Sequence, residues 1–153
     1  MTFSHIPVMI EEVVHGLRAS AGGRFIDATV GGGGHAEALL DAGADELLGL
    51  DRDREAVAAA TTRLAGFGRR VTIRQARFSE MAECAAEMGW TQVRGVLMDV
   101  GVSSHQLDTA ARGFSLRRDG PLDMRMDQRQ RTTAATILNR SDERDLARIF
   151  RDF

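Results

Sequence analysis

Lysine and tyrosine are missing altogether from these 153 residues, and cysteine and tryptophan occur once each. Cys84 therefore has no partner for an internal disulfide, which fits a reducing, cytoplasmic address. His5, His15 and His105 have no cysteine neighbours and no His-x-x-x-His spacing, so no metal site is expected. Ser103 and Ser104 lie outside any Gly-x-Ser-x-Gly elbow, which argues against serine hydrolysis. No apolar run approaches the roughly 20 residues of a membrane span, and the N-terminus shows no signal-peptide pattern. Internal repeats and low-complexity tracts are absent too. A soluble cytoplasmic protein with no membrane partner is expected.

A strong basic excess is also lacking. The formal charge is −2, so nothing suggests a blanket affinity for nucleic acid. All twenty basic residues are arginine, which reflects genomic base composition as much as chemistry. Residues 1–99 carry ten arginines against fourteen acids, and residues 100–153 ten against eight. A solvated face explains that tilt as well as an RNA surface does. The apolar share of 43% and charged share of 27% are ordinary for one globular domain with a real core.

What is present is a strand, a glycine turn and a helix. Phe25 to Val30 reads as a buried strand, Gly31 to Gly34 follow, and Ala36 to Ala42 is helical, closed by Gly43. Glycines let a backbone approach a ligand, and a helix start offers free N–H groups and positive dipole. The next strand, Glu46–Asp51, ends in an acid that can accept from both hydroxyls of a ribose. A first helix is expected over Val8–Leu17 with Pro7 in its first turn, and a third over Asp53–Leu64. Val71–Gln75 and Val93–Val100 read as further strands, separated by a helix that Ser79 caps and that runs to Met88.

Four strands alternating with helices predict a parallel Rossmann-like sheet, with ligands outside the strands' carboxyl ends. Those ends supply Gly31–His35, Asp51, Phe78 and Asp99. Asp27 stands inside strand one, where dinucleotide folds usually place apolar residues. It is either an acceptor for the ammonium of a cofactor such as S-adenosylmethionine or a satisfied core acid. His35 at the helix start favours cofactor contact, and Phe78 an apolar wall beside adenine. From Gly101 to Arg131 the chain reads as a polar, aperiodic loop, long enough to be functional or disordered. Its Arg112, Arg117, Arg118 and Arg125 are candidates for RNA phosphates or for ion pairs with Asp119, Asp123 and Asp127. Met124 and Met126 read as packing residues. Helices are expected over Thr132–Asn139 and Ser141–Phe153, and the apolar period still running at Phe153 suggests a truncated sequence.

Several motifs resemble one family. His5-Ile-Pro-Val8, Asp27-Ala-Thr-Val-Gly-Gly-Gly-Gly-His35, Asp51-Arg-Asp53, Asp99-Val-Gly-Val-Ser-Ser104, Gln106-Leu-Asp108, Arg112-Gly-Phe-Ser115 and Gly120-Pro-Leu-Asp-Met-Arg-Met-Asp127 are similar to the bacterial ribosomal RNA small-subunit methyltransferase H family, also called MraW. The resemblance implies a class I S-adenosylmethionine-dependent methyltransferase fold over residues 1–104. Residues 105–153 would then hold a motif-rich loop and the start of an inserted helical domain. It implies methylation of the exocyclic N4 amine of a cytidine in 16S rRNA, in the decoding region of the small ribosomal subunit, by a protein that can form a homodimer. Cofactor contacts are implied at Gly33, Gly34, His35, Asp51, Phe78, Asp99 and Gln106. Asp99 is the expected catalytic acceptor, beside Val102–Ser104 as a wall for the target base. His105 departs from the proline usual in the family. Members run about twice as far, so a fragment that at most binds cofactor is the alternative. A dinucleotide-dependent oxidoreductase has only the glycines and Asp51 in its favour.

Overall fold

The computed structural model describes residues 7–152. It divides into two compact units, with the boundary between Gly101 and Val102.

The first unit is built on four parallel strands: β1 (Arg24–Asp27), β2 (Glu46–Asp51), β3 (Val71–Gln75) and β4 (Gly95–Leu97). Their order is β3-β2-β1-β4, with Ile26 in register with both Leu48 and Val96. Alternate residues face opposite sides, so each strand feeds two cores. Phe25 and Leu47 pack with Leu39, Leu40, Ala60 and Leu64 under α1 (Ile10–Leu17), α2 (Gly34–Ala42) and α3 (Arg54–Arg63). Ile26, Leu48 and Leu50 pack with Cys84, Ala85 and Trp90, on the side served by α4 (Met81–Glu87). Helices on both faces of a parallel sheet make it doubly wound. The chain travels from β1 through β2 to β3, then returns to place β4 on the far side of β1. The topological switch point therefore lies between β1 and β4.

Several boundaries differ from the sequence reading, each for a local reason. β1 ends at Asp27, three residues before Val30, because the Asp27 carboxylate accepts the Thr29 N–H at 3.2 Å and turns the chain. α2 starts two residues before Ala36, launched from Gly33 at φ 86°. β4 covers only Gly95–Leu97 of the expected Val93–Val100, since beyond it the Asp99 N–H turns to a side chain. α1 begins at Ile10 behind a left-handed Met9, leaving Pro7 outside the helix and Val8 in solvent. Ser79 is no cap: a 3-10 turn spans Phe78–Glu80, closed by the Glu80 carboxylate on the Arg77 N–H at 2.6 Å. The expectation for His5 and Ile6 falls outside the described residues.

The second unit is less loop-like than expected. α5 (Ser104–Asp108) opens with a reciprocal cap in which the Ser103 N–H meets Gln106 Oε1 and the Gln106 N–H meets Ser103 Oγ. A 3-10 turn at Ala110–Arg112 follows, and later α6 (Ala134–Arg140) and α7 (Glu143–Asp152). Asp123 and Asp127 each turn back on the arginine two residues ahead, accepting its main-chain N–H and both sides of its guanidinium. Met124 is half-exposed in a left-handed conformation, so it does not serve as packing. Phe153 is outside the described residues.

Gly49 in β2 gives a direct test of the sheet's close packing. A Cβ there would lie 2.6 Å from Ile73 Cδ1 and 2.9 Å from Val30 Cγ2. Gly49→Ala should cost about 1–3 kcal/mol in denaturant unfolding. Ile73→Val, which removes Cδ1, should recover part of that loss in the double variant. Additive losses would show that the strain lies elsewhere.

Candidate functional site

The carboxyl edge of the sheet gathers backbone donors and carboxylates at the switch point. Asp51 ends β2, and both its oxygens are engaged: Oδ2 accepts the Gly31 N–H at 3.0 Å, and Oδ1 the Asp53 N–H at 2.9 Å. A carboxylate has about four acceptor sites, so Asp51 keeps capacity for further donors while its orientation is fixed. Asp53 in turn caps α3, accepting the Glu55 N–H at 3.0 Å. One acid thus clasps the glycine turn to β2, and a second anchors the first to the next helix.

The glycine turn needs Gly31 for its φ of 51°, and Gly33 and Gly34 for what surrounds them. Gly33 sits at φ 86°, and a Cβ on it would press on Leu64 Cδ1 at 3.2 Å and Ala60 Cα at 3.3 Å. A Cβ on Gly34 would collide with the Pro7 ring. The first N–H groups of α2, from Gly34 and His35, have no intrahelical acceptor by position and are presented at the positive end of its dipole. The buried His35 ring has another task, since its Nε2 lies 2.8 Å from the Val8 carbonyl oxygen and donates to it. What His35 offers at the helix start is its main-chain N–H.

Asp27 is 1% exposed, and among the described residues its Oδ2 has no hydrogen-bond partner. Burial raises its pKa from 3.8 to about 7, against the lowering effect of the Thr29 N–H, and the charges of Asp51 and Asp99 push it further up. Desolvation also raises Asp51, opposed by the N–H groups of Asp53 and Gly31. Asp99 lies just beyond β4, exposed, with its main-chain N–H on Thr29 Oγ at 2.7 Å. Thr29 is the residue the sequence reading passed over. It ties the ends of β1 and β4 together, and only its place two residues after Asp27 signals that role. Phe78 stands 45% exposed just after β3, an apolar surface beyond a strand end.

The expected site residues thus separate by unit. Gly33, Gly34, His35, Asp51, Phe78 and Asp99 belong to the first. Gln106 belongs to the second, buried on α5 with its Oε1 in the helix cap. Of the four candidate arginines, Arg112 is buried and donates to the carbonyls of Arg125 and Met126 at 3.1 and 3.2 Å. Arg125 is bound to Asp123. Among the four, the ion-pair reading is thus met at Arg125 with Asp123, while Asp127 pairs with Arg129, which the sequence reading did not include. No group of three or more potential metal ligands occurs among the described residues, and no helix there is long and apolar enough to cross a membrane.

The chain has a class I S-adenosylmethionine-dependent methyltransferase fold, a doubly wound parallel sheet with a glycine turn after β1 and an acid ending β2. Within that class the chain belongs to the MraW methylase family, whose model matches residues 2–153. It is 53% identical over 153 residues to the ribosomal RNA small subunit methyltransferase H of Geotalea uraniireducens, covering 99% of this chain and 49% of that protein. Identity to the protein of the same name from Symbiobacterium thermophilum is 47% over 155 residues, covering 100% of this chain and 49% of the relative. The chain spans about half the length of the curated relatives it matches. The solved structure of an rRNA methylase from Streptococcus thermophilus overlaps 53% of this chain and 50% of its own, at 19% identity and a TM-score of 0.42.

Asp27 makes stability pH-dependent in a definite direction. Its native pKa of about 7 lies above the ordinary 3.8, so between those values the folded chain holds a proton the unfolded chain has released. The stabilisation is complete below about pH 4 and is lost as pH rises through about 7, a change on the order of 4 kcal/mol. Asp27→Asn, which cannot ionise, should gain stability relative to wild type across that window in denaturant titrations. Parallel pH profiles for the two proteins would show that Asp27 is ionised throughout.

Proposed function

We propose that this chain binds S-adenosylmethionine at the carboxyl edge of its sheet and serves methylation of the exocyclic N4 amine of a cytidine in 16S rRNA of the small ribosomal subunit. The observation that carries the cofactor assignment is the concentration of Asp27, Asp51 and Asp99 at the carboxyl ends of β1, β2 and β4, with a buried Asp27 oxygen unsatisfied. A buried acceptor without a donor is costly and calls for one. S-adenosylmethionine brings an ammonium and a sulfonium, both cationic. A dinucleotide would bring a pyrophosphate into a field of carboxylates, so the oxidoreductase reading fits the same residues badly. Membership of a methylase family supports the same choice. The names of the relatives support an rRNA substrate, and the family resemblance supports the cytidine amine.

The residues divide the work as follows. Asp51, oriented by the Gly31 and Asp53 N–H groups, accepts from ribose hydroxyls. Gly33 and Gly34 allow the backbone to approach, and His35 adds its main-chain N–H. Phe78 offers an apolar wall to the adenine ring. Asp27 accepts from the ammonium, which would also draw its pKa down. When bound, S-adenosylmethionine supplies an electrophilic methyl group. The cytosine amine is a poor nucleophile because its lone pair is delocalised into the ring. Positioning therefore carries most of the task, with a carboxylate to stabilise the nitrogen as it becomes positive. Asp99 is that carboxylate, held at the end of β4 by its N–H bond to Thr29.

Calorimetric titration of the chain with S-adenosylmethionine should give saturable binding, weakened about 10-fold or more in Asp51→Ala because hydrogen bonds to a charged group are lost. A chain folded by circular dichroism that binds NAD instead, or binds neither, would refute the cofactor assignment. In methyl transfer to small-subunit rRNA, Asp99→Ala should abolish incorporation. Near-normal transfer by that variant would remove Asp99 from the mechanism.

A further inference from the structure

The arginines of the second unit do not share one role. Arg112 and Arg125 spend their guanidiniums on the unit's own carbonyls and on Asp123, and Arg129 closes on Asp127. Arg117 and Arg118 differ. Both are exposed, and among the described residues neither meets a carboxylate, the neighbouring Asp119 included. Arg118 donates to the Asp108 carbonyl at 2.5 Å, and the Arg117 main-chain N–H meets Ser115 Oγ at 3.3 Å. Beside them Leu116 is fully exposed, more so than any other large apolar side chain among the described residues.

The base of this projection is tightly held. A Cβ on Gly120 would collide with the Ala110 carbonyl oxygen, and Gly113, at φ 76°, leaves no room for one against the Pro121 carbonyl and the Asp123 nitrogen. The Met124 N–H donates to the Arg112 carbonyl at 3.0 Å. Leu116 is thus presented by a fixed stem. A leucine wholly in water forgoes its burial energy. Two guanidiniums without carboxylates follow it directly in the chain, so its complement carries negative charge and flat apolar surface together. A polynucleotide strand has both, in its phosphates and its base faces.

We propose that Leu116, Arg117 and Arg118 form an RNA-contacting tip, with the leucine against a base and the arginines on phosphates. This rests on the reading that the substrate is RNA. The test is fluorescence anisotropy of the full chain with a labelled hairpin from the decoding region of 16S rRNA, across a series of salt concentrations. Replacing Arg117 and Arg118 together by alanine should weaken binding about 10-fold near 0.1 M salt and flatten the salt slope by about 1.4, the value for two single-strand phosphates. Leu116→Ser should weaken binding about 5-fold with the slope unchanged, as loss of a base contact requires. S-adenosylmethionine affinity should not move in either variant.

Wild-type affinity in these variants would overturn the tip and leave the proposed function standing. So would an equal loss when Arg140 and Arg144 are replaced instead, which would indicate bulk charge alone. Binding of the tip to anionic phosphatidylserine vesicles, with RNA affinity untouched by the substitutions, would assign it to a membrane and overturn it as well. If wild type binds no RNA, the tip falls together with the RNA half of the proposed function, and the cofactor half is judged separately by calorimetry.

Discussion

Asp27 stands where β1 stops, its carboxyl sealed from solvent and one oxygen without a donor among the described residues. Much of the first unit's edge follows from accommodating it. The Thr29 N–H turns back to its other oxygen and ends the strand early. Thr29, so placed, takes the Asp99 N–H and joins the ends of β1 and β4. Two residues further on, the Gly31 N–H reaches Asp51 and joins the glycine turn to β2. Three strand ends are therefore coordinated by short-range bonds from one five-residue stretch. Burial is the main reason that Asp27 and Asp51 both hold their protons more tightly than usual, and neighbouring carboxylates add to it against the backbone N–H groups. A cationic ligand would relieve that imbalance, and an anionic one would aggravate it.

The sheet was legible because its signals are redundant. β2 and β3 appear with the bounds their sequence suggests, since apolar runs between glycine punctuation leave little freedom. Parallel topology followed from alternation of strands and helices, and with it the strand ends at which the candidate residues stand. Positions that depend on a single side chain reaching across were not legible. Asp27 cutting β1 short and Glu80 displacing Ser79 as the cap are contacts decided by geometry within a turn, where several polar residues compete for the same N–H. His35 shows the same limit. Its place beside the glycines points to a ligand, while the ring itself is bound to Val8.

The stretch from Gly101 to Arg131 looked aperiodic because its order is not carried by hydrophobic period. It is carried by polar side chains that act on backbone. Asp123 and Asp127 repeat one device four residues apart, each folding over the arginine two positions ahead. Buried Arg112 ties two carbonyls of the intervening segment together. Such staples leave no signature in a hydropathy plot, and composition alone would class the segment with flexible loops.

The absence of lysine takes on physical meaning in this second unit. Arg125 uses its planar fork to meet both oxygens of Asp123 and, through Nη1, the carbonyls of Gln128 and Gln130. A lysine ammonium has three donors on a single atom and could not span those four acceptors. Arginine therefore serves as internal scaffold, closing on a carboxylate two residues away at Arg125 and Arg129 and on main-chain carbonyls at Arg112. No acid stands two residues before Arg117 or Arg118, where Ser115 and Leu116 sit. An acid two residues earlier thus engages Arg125 and Arg129, a local pairing that charge counting over the whole segment conceals.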